Sequence, residues 1–132
     1  MKTDFNQNEY RVQYKKPELL IPVGGIEQLI AAVENGADAV YLGGNAFNAR
    51  ISADNFDIVE MEKAVDFCHL RGVKVYITLN TLMRDDQLEP ALNYAKKLYK
   101  IGVDALIIQD LGLGELIREN MPDFEMHLST QG

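Results

Sequence analysis

Three segments of the chain begin with a glycine and a small apolar residue and then continue as apolar runs. They are GADAVYLG from Gly36, GVKVYITL from Gly72 and GVDALIIQ from Gly102, and their glycines lie 36 and 30 residues apart. Glycine tolerates the left-handed backbone found just after a helix, and the apolar run is typical of a strand covered on both faces of a parallel sheet. The spacing holds one helix and one strand per copy, so the pattern predicts consecutive βα units.

The hydrophobic pattern predicts the remaining elements. Strands are expected at 18–23, 39–42, 73–79, 105–108 and 125–131, and helices at about 26–35, 57–70, 85–102 and 113–119. This order predicts an α/β fold with parallel neighbouring strands, a partial TIM-barrel-like (β/α) structure of about four to five βα units. A closed barrel needs about 250 residues. We therefore expect 17–132 to be the N-terminal half of such a domain and 1–16 to be a flexible N-terminal arm.

Composition excludes several classes of function. A net charge of −7 argues against a general nucleic-acid clamp within this chain, because binding to phosphates requires clustered Lys and Arg. Cys68 is the only cysteine, so the chain has no disulfide framework and no thiolate quartet for zinc or iron–sulfur. Its helical surroundings favour a small buried hydrophobe over a reactive thiol. No apolar stretch approaches the ~18 residues of a membrane span, and we expect a cytoplasmic protein.

Strand alternation separates the side chains into two faces. In the third strand, Val75, Ile77 and Leu79 share the face expected to meet the helices, which leaves Tyr76, Thr78 and Asn80 on the face lining the barrel. The fifth strand likewise places three polar residues on one face: His127, Ser129 and Gln131. Gln109 follows the fourth strand. Polar residues near the carboxyl ends of barrel strands indicate a ligand-binding mouth.

The connection after the second strand is the most informative loop. Gly43 and Gly44 permit close approach of a ligand to the backbone, and Arg50 offers a planar donor fork for a carboxylate or phosphate. We predict a substrate or anion site here, with Asn55, Gln109 and Gln131 as further members. The alternative is that Arg50 forms an ion pair at the rim with a nearby aspartate.

His127, Ser129 and Asn80 are the candidates for catalysis. Two residues on one strand face stand roughly 6–7 Å apart, which is long for a direct Ser–His hydrogen bond, so a hydrolytic dyad of His127 and Ser129 is not expected. The alternative to a catalytic role for His127 is a hydrogen-bonded imidazole in the core. Asn80 is expected either to orient a substrate carbonyl or to satisfy a turn. His69 is expected to cap its helix, and no residue group has the spacing of a metal site.

Several blocks resemble the U32 (collagenase-like) peptidase family, in the order in which that family has them. They are PELLIPVGG from Pro17, GADAVYLGG from Gly36, FNAR from Phe47, Asn55-Phe56, RGVKVY from Arg71, Asn80-Thr81 and HLSTQ from His127. The resemblance runs from Pro17 to Gly132 and implies the N-terminal half of that family's barrel domain.

The resemblance also implies activities that cannot be inferred from the residues alone. Some members are called peptidases of unassigned catalytic type, and others take part in hydroxylation of tRNA or rRNA, with a prephenate-type cosubstrate and an iron–sulfur cluster. The cluster cysteines belong to a block downstream of HLSTQ, so no cofactor is expected in this chain. Three hypotheses remain for the parent protein: RNA hydroxylation, which we favour, a peptidase, or a non-catalytic barrel subunit. Open sheet edges should also let the isolated chain self-associate.

Overall fold

The computed structural model describes residues 18–43, 56–79 and 84–128. Strands and helices alternate through this part of the chain in the order β1 Leu20–Val23, α1 Ile26–Glu34, β2 Ala39–Gly43, α2 Phe56–Leu70, β3 Lys74–Leu79, α3 Asp85–Ile101, β4 Ala105–Ile108, α4 Leu111–Asn120 and β5 Glu125–Leu128. The strands form one parallel sheet in the order β1-β2-β3-β4-β5. This arrangement confirms the predicted α/β class and is consistent with a partial barrel. The predicted arm lies outside the described residues.

The repeated glycines end three helices in the same way. Gly36, Gly72 and Gly102 all have positive φ, at 93°, 75° and 96°. At each helix end the glycine N–H donates to the carbonyl three residues back, and the next N–H donates to the carbonyl five residues back. This pair of bonds is the Schellman motif, whose second residue packs against the helix it follows. The sequence repeat is therefore a repeated helix stop that turns the chain into the next strand.

The hydrophobic core lies between the sheet and its helices. Alternate strand side chains with no solvent exposure point to the helices, among them Val40, Leu42, Val75, Ile77, Leu106 and Ile108. Val65 and Cys68 of α2 are equally buried in the same cluster. The predicted division of β3 is confirmed, since Val75 and Ile77 belong to this core while Tyr76 faces the opposite side. We call that opposite side of the sheet the inner face.

Two aspartates tie neighbouring strands together at their amino ends. Asp38 N–H donates to the Leu19 carbonyl at 2.9 Å, and Leu19 N–H donates to Asp38 Oδ2 at 2.7 Å. Asp104 makes the same pair of bonds with Val75, at 2.9 and 2.7 Å. The corresponding residue of the middle repeat is Lys74, which has no carboxylate. Each aspartate thus extends a parallel ladder by one hydrogen bond, because its side-chain oxygen takes the place of a carbonyl.

Helix α4 begins two residues earlier than the sequence pattern indicates. Asp110 is its N-cap, and its Oδ1 accepts a hydrogen bond of 2.9 Å from the Leu113 N–H. The expected start at residue 113 was late because Gly112 has a low helix propensity. Gly114 is buried beside Ile108 of β4, and a Cβ atom at Gly114 would lie 3.9 Å from Ile108 Cγ2. An added Cβ atom would therefore make an ordinary van der Waals contact with β4.

Candidate functional site

The parallel register brings residues of the inner face into rows across the sheet. Tyr76 is paired with Tyr41 on one side and Ala105 on the other, and Ala105 is paired with Glu125. In the next row toward the carboxyl ends, Thr78 pairs with Gly43 and Ile107, and Ile107 pairs with His127. Because parallel strands share one direction, the second row is nearer the edge where barrels bind their ligands. Gly43 and His127 belong to that row.

His127 is held by two neighbours on the inner face. Its Nε2 lies 2.7 Å from Oε2 of Glu125, which is two residues earlier on the same strand. Its ring lies 6.2 Å from the Tyr76 ring, centroid to centroid, with the planes inclined by 50°. A tilted pair at this separation is a favourable arrangement of aromatic rings. The imidazole is hydrogen-bonded, but the His127 side chain is 54% exposed, so the alternative of a core imidazole is wrong.

Tyr76 connects this histidine to the start of the described chain. Its hydroxyl lies 3.4 and 3.5 Å from the two carboxylate oxygens of Glu18, at the long end of hydrogen-bond distances. The pKa of Tyr76 is raised, first by burial and then by the negative charges of Glu18 and Glu125. The phenol therefore stays protonated at neutral pH and can donate. Glu18, Tyr76, His127 and Glu125 form a polar cluster, which we call the inner-face cluster.

Two further polar residues of the predicted mouth are described. Thr78 is 7% exposed, and its Oγ1 donates a hydrogen bond of 3.2 Å to the Leu42 carbonyl, so this hydroxyl joins β3 to β2. Gln109 comes directly after β4 and is half-buried, and its N–H donates to the Leu79 carbonyl at 3.4 Å. Gln109 thus lies at the carboxyl edge of the sheet, as expected for a residue of the mouth.

Most of the predicted site belongs to segments that the structure does not describe. The residues in question are Gly44, Arg50, Asn55, Asn80, Ser129 and Gln131. Their roles stay predictions. Of the predicted site residues, Gly43, Gln109 and His127 are described, and all three lie in the carboxyl half of the sheet.

Two members of the inner-face cluster were not singled out from the sequence. Glu125 carries a usable signal, since it precedes His127 by two residues in a strand and must share its face. Glu18 carries none, because it precedes β1 and no short-range pattern relates it to Tyr76, which is 58 residues away.

The expectation that His69 caps its helix is wrong. The residue lies in the last turn of α2, where a capping role was predicted, but its Nε2 is 2.7 Å from Asp104 Oδ2. That oxygen also accepts the Val75 N–H. His69 therefore belongs to the tie between β3 and β4 at the amino ends of the strands, away from the carboxyl edge.

The residues of this chain do not fit an iron–sulfur cluster. Such clusters are held by about four cysteine thiolates, and the chain has the single cysteine Cys68. That side chain is fully buried in α2, and burial raises the pKa of its thiol to about 11. A buried thiol that resists ionisation is a poor metal ligand. Within the described ranges, no three His, Cys, Asp or Glu side chains are grouped as a metal site.

A groove of about 370 Å³ lies on the opposite, outer side, between α1 and α2. It is lined by Ile26, Ile30, Glu60, Lys63, Ala64 and Phe67. None of these residues belongs to the predicted mouth, so we do not place the candidate site there. Over the described part of the chain, no helix is both long and apolar enough to cross a membrane.

Comparison with known proteins assigns the fold to a family. The sequence profile of Peptidase family U32 matches residues 24–132, from the turn after β1 to the last residue. The chain belongs to Peptidase family U32. This result confirms the resemblance seen in the sequence blocks, and the matched range includes β2 to β5 and every predicted site residue.

Some relatives of this U32 chain are named for RNA hydroxylation, and one is named collagenase. The 23S rRNA 5-hydroxycytidine C2501 synthase of Escherichia coli is 46% identical over 114 residues, covering 86% of this chain and 17% of the relative. The tRNA hydroxylation protein P1 of Bacillus subtilis is 41% identical, covering 94% and 29%. A protein named collagenase from Porphyromonas gingivalis is 36% identical, covering 86% and 27%. The chain thus spans less than a third of each of these relatives.

Proposed function

We propose that this U32 chain forms part of the barrel of a protein that hydroxylates RNA. The observation that carries the proposal is the 46% and 41% identity to relatives named for rRNA and tRNA hydroxylation, over 86% and 94% of the chain. The relative named collagenase is 36% identical. An RNA substrate would place the parent protein in the cytoplasm.

The proposed ligand site is the carboxyl edge of the sheet. Gly43, Gln109 and His127 lie at this edge, and Gly44 and Arg50 follow Gly43 along the chain. A guanidinium and glycines in one connection suit the binding of a carboxylate, so we assign a small anionic cosubstrate of the prephenate type to the connection from Gly43 to Arg50. Asn55 and Gln131 would supply further hydrogen bonds to the same ligand.

Other parts of the parent would have to supply the remaining functions. With a net charge of −7, this chain is a poor surface for RNA phosphates, so a basic surface is expected elsewhere. The iron–sulfur cluster that the family resemblance implies would be held by cysteines outside this chain, and it would supply the electron transfer. This chain would contribute the inner face and the connection from Gly43 to Arg50, which we call the anion loop.

Complementation tests the proposal. The full-length parent is expressed in two Escherichia coli strains. One lacks the 23S rRNA 5-hydroxycytidine C2501 synthase, and the other lacks the tRNA hydroxylation protein P of that organism, which is 34% identical to this chain. Hydroxylated nucleosides are then measured by mass spectrometry of digested rRNA and tRNA. We expect one of the two RNA classes to regain its modification, which also identifies the substrate. No recovery in either strain, with the parent present and soluble, contradicts the proposal.

Arg50→Ala in the parent tests the anion loop. We expect loss of hydroxylation in the strain that the wild type restores, because the cosubstrate carboxylate loses its bidentate partner. Arg118→Ala is the matched control, since Arg118 is an exposed arginine in the last turn of α4. Equal nucleoside levels in the Arg50 and Arg118 variants would contradict this role of Arg50.

A peptidase is the second candidate, favoured by the relative named collagenase. Purified parent protein incubated with denatured collagen tests it. Cleavage that is lost on substitution of His127 would favour the peptidase, whereas intact collagen together with restored RNA modification would favour the hydroxylase.

A further inference from the structure

We propose that Glu125 is a positioning residue for His127, holding the imidazole by Nε2 so that Nδ1 is the nitrogen offered to a ligand. The inference deepens the proposed function and rests on it for the identity of the ligand. The part of it that concerns the two side chains can be tested on this chain alone.

The contact between the two side chains is short and local. Glu125 Oε2 and His127 Nε2 are 2.7 Å apart, and both residues belong to β5 with one residue between them. An ionised carboxylate only accepts hydrogen bonds, so Nε2 must carry the proton in this pair. In the neutral imidazole the other nitrogen, Nδ1, then keeps its lone pair and acts as an acceptor.

Tyr76 limits the movement of the ring from the neighbouring side. Its ring is 6.2 Å from that of His127, and its own hydroxyl is anchored near Glu18. The ring of His127 is therefore held by a hydrogen bond at one atom and by an aromatic contact on one face. A side chain that is 54% exposed is otherwise free to change rotamer, so these contacts select one orientation.

The other histidine, His69, forms a pair with Asp104 whose role is structural. Asp104 holds His69 by Nε2 at the same distance of 2.7 Å, but the same oxygen also accepts the buried Val75 N–H. Among the described residues, the only hydrogen bond of Glu125 through its side chain is to His127. Within the described sheet the Glu125 carboxylate joins no two strands, so its effect there is on the imidazole itself.

The location agrees with a role toward a ligand. His127 lies in the same row as Gly43, the last residue of β2, toward the carboxyl edge. An acceptor nitrogen at that edge can receive a hydrogen bond from an N–H or O–H group. Under the proposed function, the donor is an amino or imino group of the target nucleobase.

Nitrogen NMR on this chain tests the pair directly. The chain has two histidines, so ¹⁵N-imidazole spectra are assigned with one His69→Gln variant. We expect neutral His127 to carry its proton on Nε2, with the N–H signal protected from exchange. Glu125→Ala should remove that protection and leave the His69 signals unchanged. A proton on Nδ1 of His127, or no response to Glu125→Ala, would overturn the proposal.

Kinetics of the full-length parent test the role in the reaction. Glu125→Ala should lower the rate constant for hydroxylation by about tenfold with little change in KM for RNA, as for other groups that orient a histidine. Glu125→Gln should recover much of the rate, because its amide oxygen still accepts from Nε2–H. Glu119→Ala, at an exposed site on α4, is the control expected to match the wild type.

The outcomes separate the inference from the proposed function. A wild-type rate in the Glu125→Ala parent overturns the positioning role while leaving RNA hydroxylation intact. Equal losses in Glu125→Ala and Glu125→Gln also count against it. A parent without any RNA hydroxylation contradicts the proposed function, and the NMR measurement then decides the pairing of Glu125 with His127 by itself.

Discussion

Individual side chains of this protein act through their surroundings, and Cys68 is the simplest case. Its side chain is fully buried in α2, and burial is the main cause that raises the pKa of the thiol from 9.0 to about 11. The sequence predicted an inert thiol from the apolar helical context, and the burial confirms that environment.

The raised pKa of Cys68 predicts a loss of stability in alkali. Since the folded thiol ionises at higher pH than the unfolded one, its contribution is complete below pH 9 and disappears as the pH rises toward 11. We expect the unfolding free energy of the wild type to fall by about 2 kcal/mol more than that of Cys68→Ala over this window. Urea titrations at several pH values measure it. The comparison uses the slope of unfolding free energy against pH, because the cavity in Cys68→Ala lowers the free energy of unfolding at every pH.

The hydrogen bonds of Asp104 predict a loss of stability when this side chain is removed. Asp104→Ala removes the acceptor of the buried Val75 N–H and the partner of His69, which should cost about 1–3 kcal/mol of unfolding free energy. Asp104→Asn should cost less, because its amide oxygen can still accept from Val75. Urea unfolding measures both variants. Asp66→Ala, which removes an exposed aspartate of α2, is the control; an equal effect of the two alanine variants would contradict the prediction.

The sequence identified parts of the candidate site but not their connections. His127, Gln109 and Gly43 were selected because polar or small residues at strand ends are unusual in an apolar pattern. Glu18 was missed because no sequence pattern relates it to Tyr76. Glu125 was missed although its spacing of two residues from His127 places both side chains on one strand face. The aspartates of the GAD and GVD repeats were visible as a pattern, yet their bonds to neighbouring strands became evident only from the register.

At the scale of elements, the sequence was a good guide because each helix ends in a recognisable signal. The glycine repeats and apolar runs predicted β2, β3 and β4 to within one residue at either end. The start of α4 was wrong by two residues, because the side-chain cap of Asp110 offsets the low helix propensity of Gly112. Capping of this kind depends on geometry that the residue types do not specify.

The Schellman glycines make a prediction for the helix ends. Gly36→Ala should lower the unfolding free energy by about 1–2 kcal/mol, because alanine is strained at a φ of 93°. No atom lies within 4 Å of the added carbon, so the cost is one of backbone conformation and not of packing. Gly36→Asn should cost less. Gly24→Ala is the matched control, as Gly24 has equal space without positive φ; thermal unfolding of all three variants measures the difference.

At the scale of the whole molecule, the order of βα units predicted a parallel sheet with neighbours in sequence order. That prediction is confirmed for β1 to β5. The geometry of the mouth was beyond prediction, because it brings together residues that are distant in the sequence. Periodic burial determines strands and helices, whereas no periodic pattern relates the residues that connect them.

The outer edges of the sheet predict self-association of the isolated chain. Within the described sheet, β1 pairs only with β2 and β5 only with β4, so each has one free edge. We expect the mass measured by light scattering to rise with concentration. Leu128→Lys, at a 57% exposed position of β5, should reduce the rise, whereas Leu111→Lys, at a 66% exposed position of α4, should not. A monomer at every concentration would contradict the prediction.

The aspartate ties lie at the opposite end of the strands from the residues proposed to meet a ligand. Asp38 and Asp104 secure the amino ends, whereas Gly43, Gln109 and His127 occupy the carboxyl half. Under the proposed function, the residues that secure the sheet and the residues that would meet a ligand are therefore separate sets. Substitutions at the rim should then alter ligand binding without weakening the hydrogen bonds at the base of the sheet.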